Sequence, residues 1–128
     1  MTQGYLFVAF GERYVDECTH QAHTIRKHGD TRPFSILTDN ETAEYVCAKD
    51  LFEQIHILQT DDPMWNDCTS EFERRCLYPR ITLNRYLTYD ETITTDSDIL
   101  CQSSPEHVWS FCSNRTSPIT TVGKPYDS

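Results

Sequence analysis

Two aspartates separated by one serine, Asp96-Ser97-Asp98, are the strongest chemical candidates in the chain. On an extended segment, residues two apart project to one face. At ~5 Å and an effective dielectric of ~20, two carboxylates repel by roughly 3 kcal/mol. A bound cation or a raised pKa relieves that repulsion. Oxygen ligands that leave coordination positions open suit Mg2+ or Mn2+ held jointly with substrate phosphates. An isolated Asp-x-Asp is a weak signal, because a solvated turn looks the same. Context strengthens it: Glu91 to Asp96 reads as a strand, the pair stands at its exit, and Ile99-Leu100 follow.

Earlier segments must supply the scaffold for that pair. Tyr5 to Phe10 is a continuous apolar run closed by Gly11, the pattern of a buried strand. Residues 13–28 follow without Gly or Pro. Val15, Cys18, Ala22 and Ile25 recur at three- and four-residue steps, which predicts one apolar helix face ended by Gly29-Asp30. Phe34 to Thr38 reads as a second strand, with Asp39-Asn40 closing it and able to cap a short helix over 41–49. Gln54 to Gln59 reads as a third strand, and the polar stretch 60–71, with Pro63 and Trp65, as a surface loop. A helical segment over 72–87 must start late, kink or begin anew at Pro79. Ser104-Pro105-Glu106 opens a further helix ending near Cys112, and Ile119 to Val122 could add a strand.

Alternating strands and helices predict an α/β domain with a Rossmann-like, mostly parallel sheet. In such sheets ligands bind beyond the carboxyl ends of the strands. Phe10-Gly11, Asp39 and Asp96-Ser97-Asp98 all fall at those ends. Their convergence is the main structural expectation.

The bulk properties bound the class. The chain has 128 residues, enough for one domain, with 38% hydrophobic and 24% charged residues. A net charge of −9 argues against a nucleic-acid partner, which needs clustered Lys and Arg. It leaves room for a small anionic ligand, since a metal ion and one or two cations can reverse the local field. No apolar run approaches the ~20 residues of a membrane helix, and no membrane association is expected. No leader peptide is read at the N-terminus. The six cysteines, none in a CxxC spacing, are therefore expected as free, mostly packed thiols in the cytoplasm, and the sequons at Asn40 and Asn114 as chance matches.

Residues 87–100, Leu-Thr-Tyr-Asp-Glu-Thr-Ile-Thr-Thr-Asp-Ser-Asp-Ile-Leu, resemble the helix-turn-strand-DxD segment of GT-A-fold glycosyltransferases, nearest the glycogenin and galactosyltransferase-like group. Residues 8–18, Val-Ala-Phe-Gly-Glu-Arg-Tyr-Val-Asp-Glu-Cys, are similar to that family's first strand, loop and helix. The resemblance covers about residues 4–101. It implies the nucleotide-binding half of a GT-A fold with strand order 3-2-1-4, a nucleotide-diphospho-sugar donor (a UDP-sugar foremost), an acceptor it does not identify, and glycosyl transfer. It assigns Asp96 and Asp98 to the Mn2+ or Mg2+ ion. Phe10, Gly11 and Tyr14, with the Ala9 backbone, take the nucleobase and ribose. Arg80 stands where the family carries a phosphate-facing cation, usually lysine; an arginine can grip phosphate in a bidentate manner. Asp39 and Ser97 complete the expected donor-binding set.

Two departures stand out. Thr92-Ile93-Thr94-Thr95 is more polar than the family strand. The length also leaves no room for the family's acceptor half and its further metal-ligating histidine, so a truncated or split chain is expected, with an exposed sheet edge that could drive self-association or pairing with a complementing chain. Gly123-Lys124-Pro125-Tyr126 superficially matches the family's late Gly-x-Lys-Pro-Trp but comes too soon after the DxD. Catalytic residues are not assigned.

Blander readings stand beside these. Tyr14 could pack on the sheet edge, Arg80 could pair with nearby acids, and Asp39 could merely cap a helix. His20 and His23 read as surface residues, and His107 near Cys112 lacks an orienting partner for nucleophilic chemistry. Trp65 reads as a lid or loop anchor. A non-catalytic nucleotide-binding or assembly module is the alternative function. A metal-dependent phosphotransfer or response-regulator-like domain is the third.

Overall fold

The computed structural model describes residues 2–97 and 100–113. Asp98, the Asn114 sequon, the strand expected over 119–122 and the segment 123–126 lie outside the described residues. The elements run β1 (Gln3–Val8), α1 (Glu12–Lys27), β2 (Phe34–Thr38), α2 (Ala43–Ala48), β3 (Gln54–Ile57), α3 (Pro63–Asp67), a π-turn (Glu73–Leu77), α4 (Tyr78–Ile81), a 3-10 turn (Leu83–Tyr86), β4 (Glu91–Ile93) and α5 (Glu106–Ser113). The four strands form one sheet in the order β3-β2-β1-β4. Every pairing is parallel, with Tyr5 beside Phe34 on one side and beside Ile93 on the other. The fold is thus α/β and Rossmann-like, in the strand order expected.

β1 is apolar throughout because both of its faces are covered. Tyr5, Phe7 and Ala9 join Phe34, Ile36, Val46, Trp109 and the α1 residues Val15, Cys18, Ala22 and Ile25 in the main core. The alternate residues Leu6, Val8 and Phe10 face the other way, toward Leu37, Leu58, Leu83 and Tyr86. Helix α1 ends in a Schellman motif at Gly29, whose φ of 91° is a left-handed value that favours glycine. There Gly29 N–H donates to the Arg26 carbonyl at 3.0 Å and Asp30 N–H to that of Ile25 at 3.3 Å.

That stop delivers Asp30 into the core at the amino end of the sheet. Its carboxylate accepts a short hydrogen bond from the Tyr5 hydroxyl and another from Trp109 Nε1 at 3.2 Å. Arg32 pairs with Asp30 at 3.2 Å and bidentately with Glu106, and its guanidinium lies 4.5 Å from the Trp109 ring centroid. This network fastens α5 to β1. Burial would push the Asp30 carboxyl up, but the bonds from Tyr5 and Arg32 outweigh it and hold it below the ordinary value.

Several expectations need correction. The stretch 60–71 is not all loop: Pro63 occupies the start of α3, and Asp62 caps it by accepting from Met64 N–H at 2.8 Å. Trp65 on that turn packs edge-on against Tyr78, with ring centroids 5.3 Å apart. The helix expected over 72–87 is three short pieces, because Pro79, lacking an N–H, begins α4 anew. Strand β1 ends at Val8 and not Phe10, and β4 at Ile93 and not Asp96. The six thiols are free, but only Cys18 and Cys68 are buried, and Cys47 is exposed. Among the described residues no helix is long and apolar enough to cross a membrane.

Because its folded-state pKa is depressed, Asp30 stabilises the fold above its unfolded value of about 3.9 and loses that contribution as pH falls through the folded value. Asp30→Asn should cost about 2–3 kcal/mol at neutral pH and flatten the acid limb of the stability curve below about pH 4. Urea titrations followed by Trp109 fluorescence, in a Trp65→Phe background, check this. An unaltered midpoint at pH 7 contradicts it.

Candidate functional site

Parallel strands bring their carboxyl ends to one edge, and there β1, β2 and β4 open into a cleft of about 1220 Å³. Ala9, Phe10, Gly11, Tyr14, Asp39, Arg80, Asp96 and Ser97 all line it. The eight described residues expected to bind the donor are therefore neighbours around one cavity. Asp98, the other expected metal ligand, lies outside the described residues.

The bend after β1 is set by backbone chemistry. Ala9 N–H continues the ladder to the Leu37 carbonyl at 3.0 Å. Gly11 then adopts φ 99° and ψ 151°, a combination open essentially to glycine alone, and becomes the N-cap of α1. Its N–H donates to Thr42 Oγ1 at 3.1 Å, which ties the bend to the start of α2. No side chain caps α1, and Gly11, Arg13 and Tyr14 at its start line the cleft. Tyr14, one turn on, lines the cleft at 46% exposure, with the Arg13 guanidinium 5.6 Å from its ring centroid.

At the β2 tip, Asp39 is committed within the chain. Its Oδ1 accepts from Thr42 N–H at 2.9 Å, and its Oδ2 forms a short ion pair with Arg75. Burial would raise the Asp39 pKa, but the bonds from Thr42 and Arg75 hold it below the ordinary value, and Asp39 in turn raises that of Arg75. The Arg75 guanidinium also lies 5.3 Å from the Phe10 ring centroid.

At the β4 tip, the ladder stops at Ile93, so Asp96 does not project from a strand as expected. Hydrogen bonds from α1 position this segment instead. Gln21 donates to Thr95 Oγ1, Ser97 Oγ donates to Glu17 at 2.7 Å, and Thr24 Oγ1 accepts from Cys101 N–H at 2.9 Å. Glu17, Gln21 and Thr24 are four and three residues apart, one stripe of α1. Asp96 itself pairs with Arg80 at 2.9 Å, with both side chains more than 60% exposed. Pairing with a nearby acid, the blander expectation for Arg80, thus holds in this structure.

Sequence reasoning missed Arg75, Thr42 and the Glu17–Gln21–Thr24 stripe. A usable signal existed for the last: Gln21 interrupts the apolar face of α1 and is buried beside Ala22. His20 and His23 are exposed, and His107 Nδ1 is 3.0 Å from the Ser104 carbonyl. Among the described residues no three His, Cys, Asp or Glu side chains are grouped to hold a metal ion by themselves. Neither the protein-family models nor the curated proteins compared with this chain gave a match.

The Gly11 bend yields a test that separates strain from steric clash. A Cβ at Gly11 would meet nothing within 4 Å. Gly11→Ala should nonetheless destabilise by about 1–3 kcal/mol, because the backbone conformation itself is unfavourable for alanine. Urea unfolding measures this, and a wild-type midpoint would contradict the assigned bend.

Proposed function

We propose that the cleft binds a nucleotide-diphospho-sugar together with Mn2+ or Mg2+, and that the chain is the donor-binding part of a metal-dependent GT-A-type glycosyltransferase. The observation that carries the reading is the meeting, in one cleft, of the aromatic-glycine bend after β1 with Arg80 and Asp96 at the exit of β4. Charge supports it as well. Five carboxylates and three guanidiniums among the described residues line the cleft, so an anionic donor needs an added cation there.

The described donor set fits such an ion. Asp96 offers an exposed carboxylate, and a site that borrows phosphate oxygens does not require three protein ligands. Asp96 and Asp98 would hold the ion, whose chemistry is to neutralise charge on the departing diphosphate. Tyr14 offers a ring face for the base, while Phe10, whose ring already carries Arg75, contributes with Ala9 and Gly11 the backbone beside the ribose. Arg80 turns from Asp96 to the phosphates. The Ser97 hydroxyl is spent on Glu17, which leaves its backbone for the donor. The free thiols accord with a cytoplasmic setting.

One observation favours the second reading, a non-catalytic nucleotide-binding or assembly module. Phe72, Leu77, Ile81 and Leu87 are large apolar side chains each at least 43% exposed. Titration calorimetry with UDP and manganese, followed by a sugar-nucleotide hydrolysis assay, separates the two. Asp98→Ala should weaken manganese-dependent UDP binding by at least roughly tenfold, about 1.4 kcal/mol. Unchanged affinity removes the assigned metal site. Binding without turnover, together with concentration-dependent self-association in light scattering, favours the module.

A further inference from the structure

We propose that Arg75 is a second phosphate-contacting cation of the cleft, and that Asp39 serves by holding Arg75 rather than by touching the ligand. This rests on the donor-binding reading above.

Three observations carry it. First, each Asp39 oxygen already accepts a bond from within the chain, one from the Thr42 amide and one from Arg75. Each oxygen keeps a further lone pair, but the carboxylate is only 21% exposed and its charge is already matched by the Arg75 guanidinium, a weak position for a neutral donor. Second, Arg75 is oriented but not saturated. Its Nη1 is bound by Asp39 and its Nε by Glu71 at 3.3 Å, while Nη2 has no hydrogen-bond partner among the described residues. The side chain is 38% exposed and lines the cleft. A guanidinium with two of its three nitrogens held and Nη2 left to donate suits an incoming oxyanion.

Third, the topology sets two guanidiniums apart by a useful distance. Arg75 is tethered at the β2 tip and Arg80 at the β4 tip, with β1 between them. Two strand spacings are roughly 10 Å, so a diphosphate over the β1 tip would meet one cation from each side. Within the π-turn over Glu73–Leu77, Arg74 turns away to the Cys68 carbonyl at 3.1 Å while Arg75 lines the cavity. A ligand with one phosphate would use one of these cations, and a diphosphate both.

Calorimetry with inorganic pyrophosphate and with UDP, each with magnesium, tests the proposal on the whole chain. Arg75→Gln should weaken both ligands about tenfold or more while the variant stays folded by circular dichroism. Should that variant fail to fold, Arg75→Lys, which keeps the charge and loses the fork, should still bind pyrophosphate several-fold more weakly. Asp39→Asn should weaken pyrophosphate also, although that ligand has no ribose. Wild-type pyrophosphate affinity in the folded Arg75 variant, with UDP binding intact in the parent, overturns the role of Arg75 and leaves the donor reading standing. Loss of UDP but not pyrophosphate affinity in Asp39→Asn makes Asp39 a direct ribose contact and overturns its holding role. Failure of the unaltered chain to bind either ligand removes both readings together.

Discussion

Everything at the cleft depends on β1 being paired in parallel on both sides. A parallel pair aligns carboxyl ends, so the segments that leave β1, β2 and β4 must emerge at the same edge. Pairing on both sides also buries β1, and the alternation of Tyr5, Phe7 and Ala9 against Leu6, Val8 and Phe10 fills two separate clusters. The two ends of the sheet then do different work. At the amino end, Asp30, Tyr5, Arg32 and Trp109 form a satisfied buried network that fixes α5. At the carboxyl end, polar groups are tethered from one side and open on the other. Mutually bonded polar groups thus gather at the amino end, and partly open ones around the cleft.

Much of this was legible in the residues. The apolar run of β1, the three- and four-residue repeat of α1 and the stop at Gly29-Asp30 are local signals, and each appears in the structure within a few residues of its expected place. The strand order 3-2-1-4, which came from the resemblance to the GT-A family, is present too. Pro63 misled because proline marks both loops and helix starts, and only the Asp62 cap distinguishes them. The early end of β4 was hidden for a different reason. Thr94 and Thr95 have good strand propensity, but pairing with β1 stops at Tyr5, and Thr95 is instead taken by Gln21. That competition lies between residues 74 apart in the chain and has no local signature. Arg75 was missed on similar grounds: within Glu71 to Arg75 it reads as one charge on a solvated face, and only the fold brings Asp39 and Phe10 to it.

The two ion pairs of the cleft differ in a way that bears on function. Arg80 and Asp96 are both more than 60% exposed, and such a pair contributes only ~0–1 kcal/mol in water. Its partners can therefore separate at little cost, which is what the donor-binding reading requires of them: the carboxylate turns to a cation and the guanidinium to a phosphate. Asp39 and Arg75 are less exposed, at 21% and 38%, and are further fixed by Thr42, Glu71 and Phe10. Separating them would expose a carboxylate whose neighbours already favour its charge. A ligand that enters this cleft should thus exchange the Arg80 pair and build upon the Arg75 pair, so that one guanidinium moves on binding while the other serves as the fixed reference.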